Sequence, residues 1–488
     1  MFEPALSLLW AVMMKEAVEG KGICGTARRI CCILLRYGLT PRKMLRKLEK
    51  FEQILNDYGC TATFPTTAVV LKRYCGHLKS VIGRGSEMRA AAFSGGAGER
   101  MGGDCVELAV HGLFHKDIST LGKEELQREL REALRIFMKS GIEPVGFRAP
   151  YLKRNENIAE VVGEIGLEYD NSEAILWEFD EIGHEIEREI ERIKEFYRPS
   201  DAKTCMSLPR GISPVFIPVS LPDDEILERL NLCANAGRIW SEILSRVYER
   251  GEIFVLQLHP ERIEKFESAL RVVLEYACKS QPPVWVASLK DIARWWKERR
   301  DFDINVDEAN GGKFNVSVNC SDAATILLKD AESHIEGERH WHGAYKSVEC
   351  RDFELSERPS VGVSPRVSEE FVNFLIEEGF HVEESTAKWK YGVFFEEETS
   401  KFSALQRIES SDAQVVRIWR WPFNARCALC ITGDIDALTL WDFILRPFEM
   451  RIFKKGRIRK KRDADTRRIA QRICEGSEER ELEAIERD

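Results

Sequence analysis

The sequence has no apolar run long enough to cross a bilayer. Its candidate near the N-terminus, "ALSLLWAVMM" (Ala5–Met14), is about half the length a span requires. An acidic residue precedes it, with no basic leader and no small-residue cleavage pattern, so it reads as a buried helix within residues 1–27 rather than an export signal, and a cytoplasmic protein is expected. Basic charge is in deficit: 72 Lys and Arg against 81 Asp and Glu leave a net charge of −9. That argues against nucleic acid as the partner of the whole chain. Repeats with a 20–50-residue period are absent, which excludes a solenoid. Cysteine is not scarce, but the 14 cysteines are dispersed along 488 residues. A chain this size needs no disulfide staples, and the usage fits a reducing compartment.

What is present is a long β/α rhythm. With 44% apolar and 31% charged residues, two or three domains with sizeable cores are expected. Residues 28–300 alternate short apolar strands with amphipathic helices. "RRICCILLRYGL" (Arg28–Leu39) reads as a first buried strand, with Cys31 and Cys32 in the core. "PRKMLRKLEKFEQILNDYG" reads as the helix after it, and "CTATFPTTAVVL", "CVELAVHG", "PVGFRAP" and "GEIFVLQLHPE" read as further strands. Parallel strands joined by helices make a barrel or an open sheet, with chemistry at the carboxyl ends of the strands. The Gly- and Ala-rich stretch Ser86–Cys105 reads as a surface loop. Residues 301–358 alternate polar and apolar without helices, as a small antiparallel β module does, and 359–413 read as a compact α/β unit. Residues 414–450 hold a further strand and helix. Residues 451–488 form a charged tail, basic and then acidic, expected to be solvated, with an acidic membrane or nucleic acid as the lesser alternative.

Three strand ends carry chemistry. "HGLFH" sets His111 and His115 four apart, "GFRAPY" sets Arg148 and Tyr151, and "QLHPE" sets His259. Imidazole nitrogens are good ligands for zinc, an arginine orients charge, and a separate histidine serves as general acid; hydrolysis of an amide or ester uses this set. "HGLFH", "RAPY" and "LHP", in this order on a β/α frame, resemble the NodB-type polysaccharide deacetylases. "CTATFPTTAVVL" matches their second strand. The resemblance implies a distorted (β/α) barrel and a divalent metal, zinc foremost. His111 and His115 would be ligands, Arg148 would orient a catalytic carboxylate, Tyr151 would lend its backbone N–H to an oxyanion site, and His259 would protonate the leaving amine. The implied substrate is an N-acetylated sugar or polysaccharide precursor, or another amide.

The aspartate pair that these enzymes carry after their first strand is missing: Gly38 and Leu39 stand there. An acidic pair does occur in "CALCITGDIDALTLWDF", as Asp434 and Asp436. Three readings are open. The C-terminal strand packs beside the barrel mouth and supplies the acids, as in a circular permutation; it opens a decayed second domain and leaves a non-catalytic barrel that binds carbohydrate or a partner; or the two aspartates form an ordinary turn. In the first reading residues i and i+2 of a strand share a face, so both can point into one site; one is expected to bind the metal and the other to act as base, with Asp434 set down as base and Asp436 as ligand. Other features take plain roles. "CALC" lies in a strand, where i and i+3 face opposite ways, so no redox role is assigned. Asp223 and Asp224 read as helix-capping. Asp170 and Asn171 face the site or form a turn, Trp295 and Trp296 pack at the closing helix, and His340 and His342 receive no role.

Overall fold

The computed structural model describes residues 30–92, 106–179, 184–329, 335 and 337–453. The expected N-terminal helix and the tail beyond 453 lie outside them, as does most of the Gly- and Ala-rich stretch, whose first residues continue the helix Ala68–Ala92. Among the described residues no helix is long and apolar enough to cross a membrane. The chain divides into two compact units: residues 45–436, and residues 1–44 with 437–488.

The larger unit is built on an eleven-stranded sheet. Its strands are β1 (Thr63–Thr66), β2 (Glu107–Val110), β3 (Gly146–Phe147), β4 (Tyr169–Asp170), β5 (Ala174–Leu176), β6 (Ser200–Asp201), β7 (Val215–Phe216), β8 (Val219–Leu221), β9 (Ile253–Leu258), β10 (Val284–Val286) and β11 (Cys427–Gly433). The order is β6-β5-β8-β9-β11-β1-β2-β3-β4-β7, with β10 also on β11, and the pairings are parallel. Two residues join β7, at one edge, to β8, well inside the other half. Such a link spans only about 10 Å, so the sheet curls back on itself as a distorted, incompletely closed barrel. Helices cover its outside. Lys123–Lys139, for example, buries Leu126, Leu130, Ala133 and Phe137 along one stripe, with Glu129 buried beside them and paired to Lys116.

β11 is the central strand. Ala428–Gly433 pairs in register with Ile253–Leu258, while its other edge takes Val284–Val286 and, further along, Thr63. Every residue from Cys427 to Gly433 is buried, and the near-continuous apolar sequence suits a strand covered on both faces. The slot assigned from sequence to Arg28–Leu39 is therefore filled from the other end of the chain. Residues 30–37 are helical instead, and Cys31 and Cys32 are exposed rather than in the core. Eight apolar residues without period-2 alternation fit helix and strand alike. Gly38, at φ +78, turns the chain out of that helix.

Between β10 and β11 the chain builds three small sheets. Asp303–Glu308, Phe314–Asn319 and Asp352–Leu355 form one antiparallel sheet; Arg339–His342, Tyr345–Val348, Ile326–Lys329 and Val415–Ile418 form another. Val361–Val363 is flanked by Val382–Glu384 and Val393–Phe395 in a parallel sheet. The last antiparallel strand, Val415–Ile418, thus joins the β module before the chain re-enters the barrel. One apolar cluster runs through both, from Val255 and Ala428 to Trp285, Trp341, Trp419 and Trp421, and includes Trp295 of the closing helix.

Glu378 ties this junction together. Its Oε2 accepts from Arg417 Nη2 at 2.5 Å and from Arg420 Nη2 at 2.6 Å, and Arg420 Nη1 also donates to the Arg250 and Gly251 carbonyls at 2.9 and 3.1 Å. All three side chains are buried. Removing one partner of a buried ion pair strands the other charge, at about 3–5 kcal/mol. Glu378→Leu is accordingly expected to lower unfolding free energy in urea by that amount. A loss below about 1 kcal/mol would mean that apolar packing alone holds the junction.

Candidate active site

The carboxyl ends of β2, β3, β9 and β11 converge on one cluster. The register sets Val110 of β2 beside Phe147 of β3, and Gly433 of β11 beside Leu258 of β9. The residues that follow each strand, His111, Arg148, His259 and Asp434, therefore share one rim. The Asp434 N–H donates to Leu258 O at 3.1 Å, and the Ile435 N–H to Pro65 O at 2.8 Å, so the acidic segment is pinned on both sides. Gly433 permits this approach: a Cβ there would meet the Phe64 ring at 2.6 Å.

His111 Nδ1–H donates to the Arg148 carbonyl at 2.9 Å. With that proton committed, Nε2 keeps a lone pair and turns it inward. It stands 3.4 Å from Asp436 Oδ1 and 3.8 Å from Asp434 Oδ2, buried and without a hydrogen-bond partner. His115 Nε2 lies 3.2 Å from Asp436 Oδ2. Ligand atoms of His111, His115 and Asp436 all fall within 4.8 Å of one another. Acceptors held this close repel unless a cation or shared protons lie among them, and two imidazoles with one carboxylate are a donor set for a divalent metal, with room for a further ligand. Burial pushes the Asp436 carboxyl up, but the facing His115 and His111 imidazoles more than offset this and hold it well below the usual carboxylate range.

Asp434 is held differently. Arg148 Nη1 donates to its Oδ1 at 2.6 Å and Gln257 Nε2 to its Oδ2 at 3.1 Å. Arg148 is fully buried and is itself fixed by Asn171 Oδ1 at 2.9 Å and Thr432 Oγ1 at 3.0 Å. The Arg148 guanidinium thus holds this carboxylate through Oδ1. Tyr151 lies in a tight turn with left-handed backbone at Tyr151 (φ 60) and Leu152 (φ 53), and its ring rests 4.3 Å from that of His115. Backbone in that region is costly for non-glycine residues and gathers at functional sites.

His259 follows β9, with its Nδ1 2.6 Å from Asp224 Oδ1 while its backbone N–H donates to Asp224 Oδ2 at 2.7 Å. Burial pushes the imidazole down, but the Asp224 carboxylate overrides it and holds His259 well above its ordinary value. Asp223 caps the helix Asp224–Arg229 as expected, accepting from the Ile226 N–H at 2.8 Å. Its carboxyl is pushed up to about 7 by burial and by Asp224 beside it. Asp224, read from sequence as capping, is instead the partner of His259; an aspartate in a helix's first turn carries no separate signal of this. Gln257 was legible in principle, since it shares a strand face with His259 two residues on. Of the two residues left open, Asn171 reaches Arg148, whereas Asp170 accepts from the Ser172 hydroxyl.

The assembled class is that of a hydrolytic site: a candidate metal cluster, an oriented carboxylate beside it and a buried histidine–aspartate pair. A family model described as polysaccharide deacetylase matches residues 44–169, so this stretch is similar to that family. The match contains His111, His115 and Arg148 and ends well before Asp434. A solved structure from Mycobacterium smegmatis named as a polysaccharide deacetylase is 20% identical, over 58% of this chain and 84% of that one, with a TM-score of 0.37. Another, from Pseudomonas aeruginosa PAO1 and named likewise, is 18% identical over 52% and 73% of the two chains, with a TM-score of 0.34. A structure named Puue allantoinase is 17% identical over 51% and 72%, with a TM-score of 0.36. No functionally curated protein matches the sequence.

The His259–Asp224 pair fixes a pH dependence. A histidine whose folded value is raised contributes stability that is complete below its ordinary value of 6.5 and is lost as the pH rises through the raised folded value. In Asp224→Asn the largest raising influence is removed while burial and Arg262 still push the imidazole down, so His259 should titrate well below its wild-type value. Imidazole 15N shifts against pH measure this; a His259 titration unchanged by the substitution would show that Asp224 does not hold the charge.

Proposed function

We propose that the protein is a metal-dependent hydrolase of carbon–nitrogen amide bonds, and that it deacetylates an N-acetylated sugar or polysaccharide precursor. The deacetylase match over residues 44–169 supports hydrolysis of an ester or amide on carbohydrate. The observation that carries the finer reading is the arrival of Asp434 and Asp436, from a strand at least 286 residues later in the chain, among His111, His115 and Arg148.

In this reading His111, His115 and Asp436 hold a divalent metal, zinc foremost. Bound there, the metal would supply Lewis acidity toward the acyl oxygen and a lowered pKa for water. Asp434 takes the proton of the attacking water. Its two oxygens are hydrogen-bonded by Arg148 and Gln257, which aims the carboxylate. The turn at Tyr151 offers the backbone N–H toward the oxyanion. His259, charged through Asp224, donates its proton to the departing amine. Proton acceptor and proton donor are thus separate groups with separate partners.

Metal analysis and acetate release from N-acetylglucosamine oligomers test this together. Wild type should carry about one metal per chain, lost in His111→Ala and in Asp436→Asn. Asp434→Asn should keep the metal while turnover falls by roughly 10²–10⁴-fold. Full metal content in Asp436→Asn would overturn the ligand assignment, and undiminished turnover in Asp434→Asn would overturn the base.

A further inference from the structure

We propose that Gln257 determines which bond the site cleaves: its side-chain carbonyl accepts the N–H of the scissile amide and so selects amides over the corresponding esters. This rests on the hydrolase reading above and sharpens it, because the same chemistry is compatible with an ester or an amide. Gln257 pairs with Thr432 in the parallel register of β9 and β11, two residues before Asp434 on the one strand and two before His259 on the other. Residues two apart share a strand face, so Gln257 lies directly beneath the proposed proton acceptor and proton donor. Its side chain reaches up between them, and Nε2 donates to Asp434 Oδ2 at 3.1 Å.

The neighbouring polar side chains are matched. Arg148 donates to Asp434, Asn171 and Thr432, Asn171 Nδ2 donates to Ile217 O at 2.7 Å, and Thr432 Oγ1 donates to Leu256 O at 3.3 Å. Gln257 Oε1 is different. The residue is 5% exposed, and this oxygen is buried with no hydrogen-bond partner among the described residues. Its direction follows from the Asp434 contact: a carboxylate oxygen accepts there, so the NH2 end faces Asp434 and the carbonyl end is left over. Covalent geometry keeps Oε1 about 2.3 Å from Nε2, hence no more than about 5.4 Å from Asp434 Oδ2. An acceptor buried without a donor is costly, and such an atom beside reacting groups marks a role in binding or catalysis. The substrate brings the missing donor. Water that gives its proton to Asp434 attacks the acyl carbon, and the amide nitrogen is one bond further on. His259 donates to that nitrogen from one side, and Gln257 Oε1 accepts its N–H from the strand face below. An ester has an oxygen in that place, with no hydrogen to give, and sets two acceptors against each other.

The test compares acetate release from N-acetylglucosamine oligomers with release from the matching 2-O-acetylglucose oligomers, in wild type and in Gln257→Leu. Losing the Asp434 contact slows both substrates alike, and the greater intrinsic reactivity of the ester is common to both proteins, so neither alters the comparison of amide-to-ester kcat/KM ratios. That ratio is expected to fall by about tenfold to a hundredfold in Gln257→Leu. It does not depend on how much of the variant folds, so partial misfolding does not imitate the effect. An unchanged ratio with both acetates released overturns the role of Gln257 and leaves the hydrolase reading intact. If neither sugar releases acetate, the hydrolase reading fails and binding decides the rest. Calorimetric titration of the full chain with the two oligomers would then support the assignment if wild type prefers the amide and Gln257→Leu does not, and would overturn it if wild type binds both equally.

Discussion

Everything in the site depends on one non-local pairing, that of β11 with β9 and β1. The hydrogen bonds between Ala428–Gly433 and Ile253–Leu258 bring Asp434 to the mouth of the barrel; a slip of one residue would turn its carboxylate to the opposite face of the strand. Closing so long a loop is less costly than its length implies, because closure entropy grows only with the logarithm of length. The intervening residues are also ordered in sheets of their own. Trp419, Trp421, Arg417 and Arg420 then deliver the chain to β11 along a buried path whose far end is anchored on Glu378.

The barrel mouth separates charges by giving each its own partner. Arg148 is buried with no exposed surface, and such a cation persists only when matched; Asp434 supplies the match, and the Asn171 and Thr432 oxygens take the remaining donors. His259 is matched by Asp224 on the adjacent side. The lone pairs of His111, His115 and Asp436 are left facing one another in the middle. Two carboxylates only two residues apart thereby face different company, Asp434 a guanidinium and Asp436 a pair of imidazoles.

Much of this was legible in the sequence. His111, Arg148 and His259 each follow an apolar strand, with His115 four residues beyond His111, and strand ends are where a parallel β/α sheet exposes side chains; the alternating pattern itself named the fold class. The donated strand was legible only as one of three alternatives, because β11 is separated from its neighbours in sequence and nothing local encodes long-range pairing. The expected first strand fails for a related reason. "RRICCILLRYGL" has the composition of a buried strand, but β11 occupies its slot, and periodicity cannot distinguish a short buried strand from a helix. Asp224 was hidden because the capping role suggested by its position is filled by Asp223.

The position of β11 in the chain has a further effect, on the order of events during synthesis. β1 and β9 can be made, and their covering helices formed, while the strand that belongs between them does not yet exist. About 175 residues separate Leu258 from Gly433, and at 5–20 residues per second they take roughly ten to thirty seconds to translate. For that interval the nascent barrel holds open strand edges, that of β9 (Ile253–Leu258) strongly apolar, the kind of edge that pairs with other chains when left uncovered. A protein built in this order would make a long demand on the cell's holding chaperones, and the cluster at the barrel mouth would come into being only after β11 had been made.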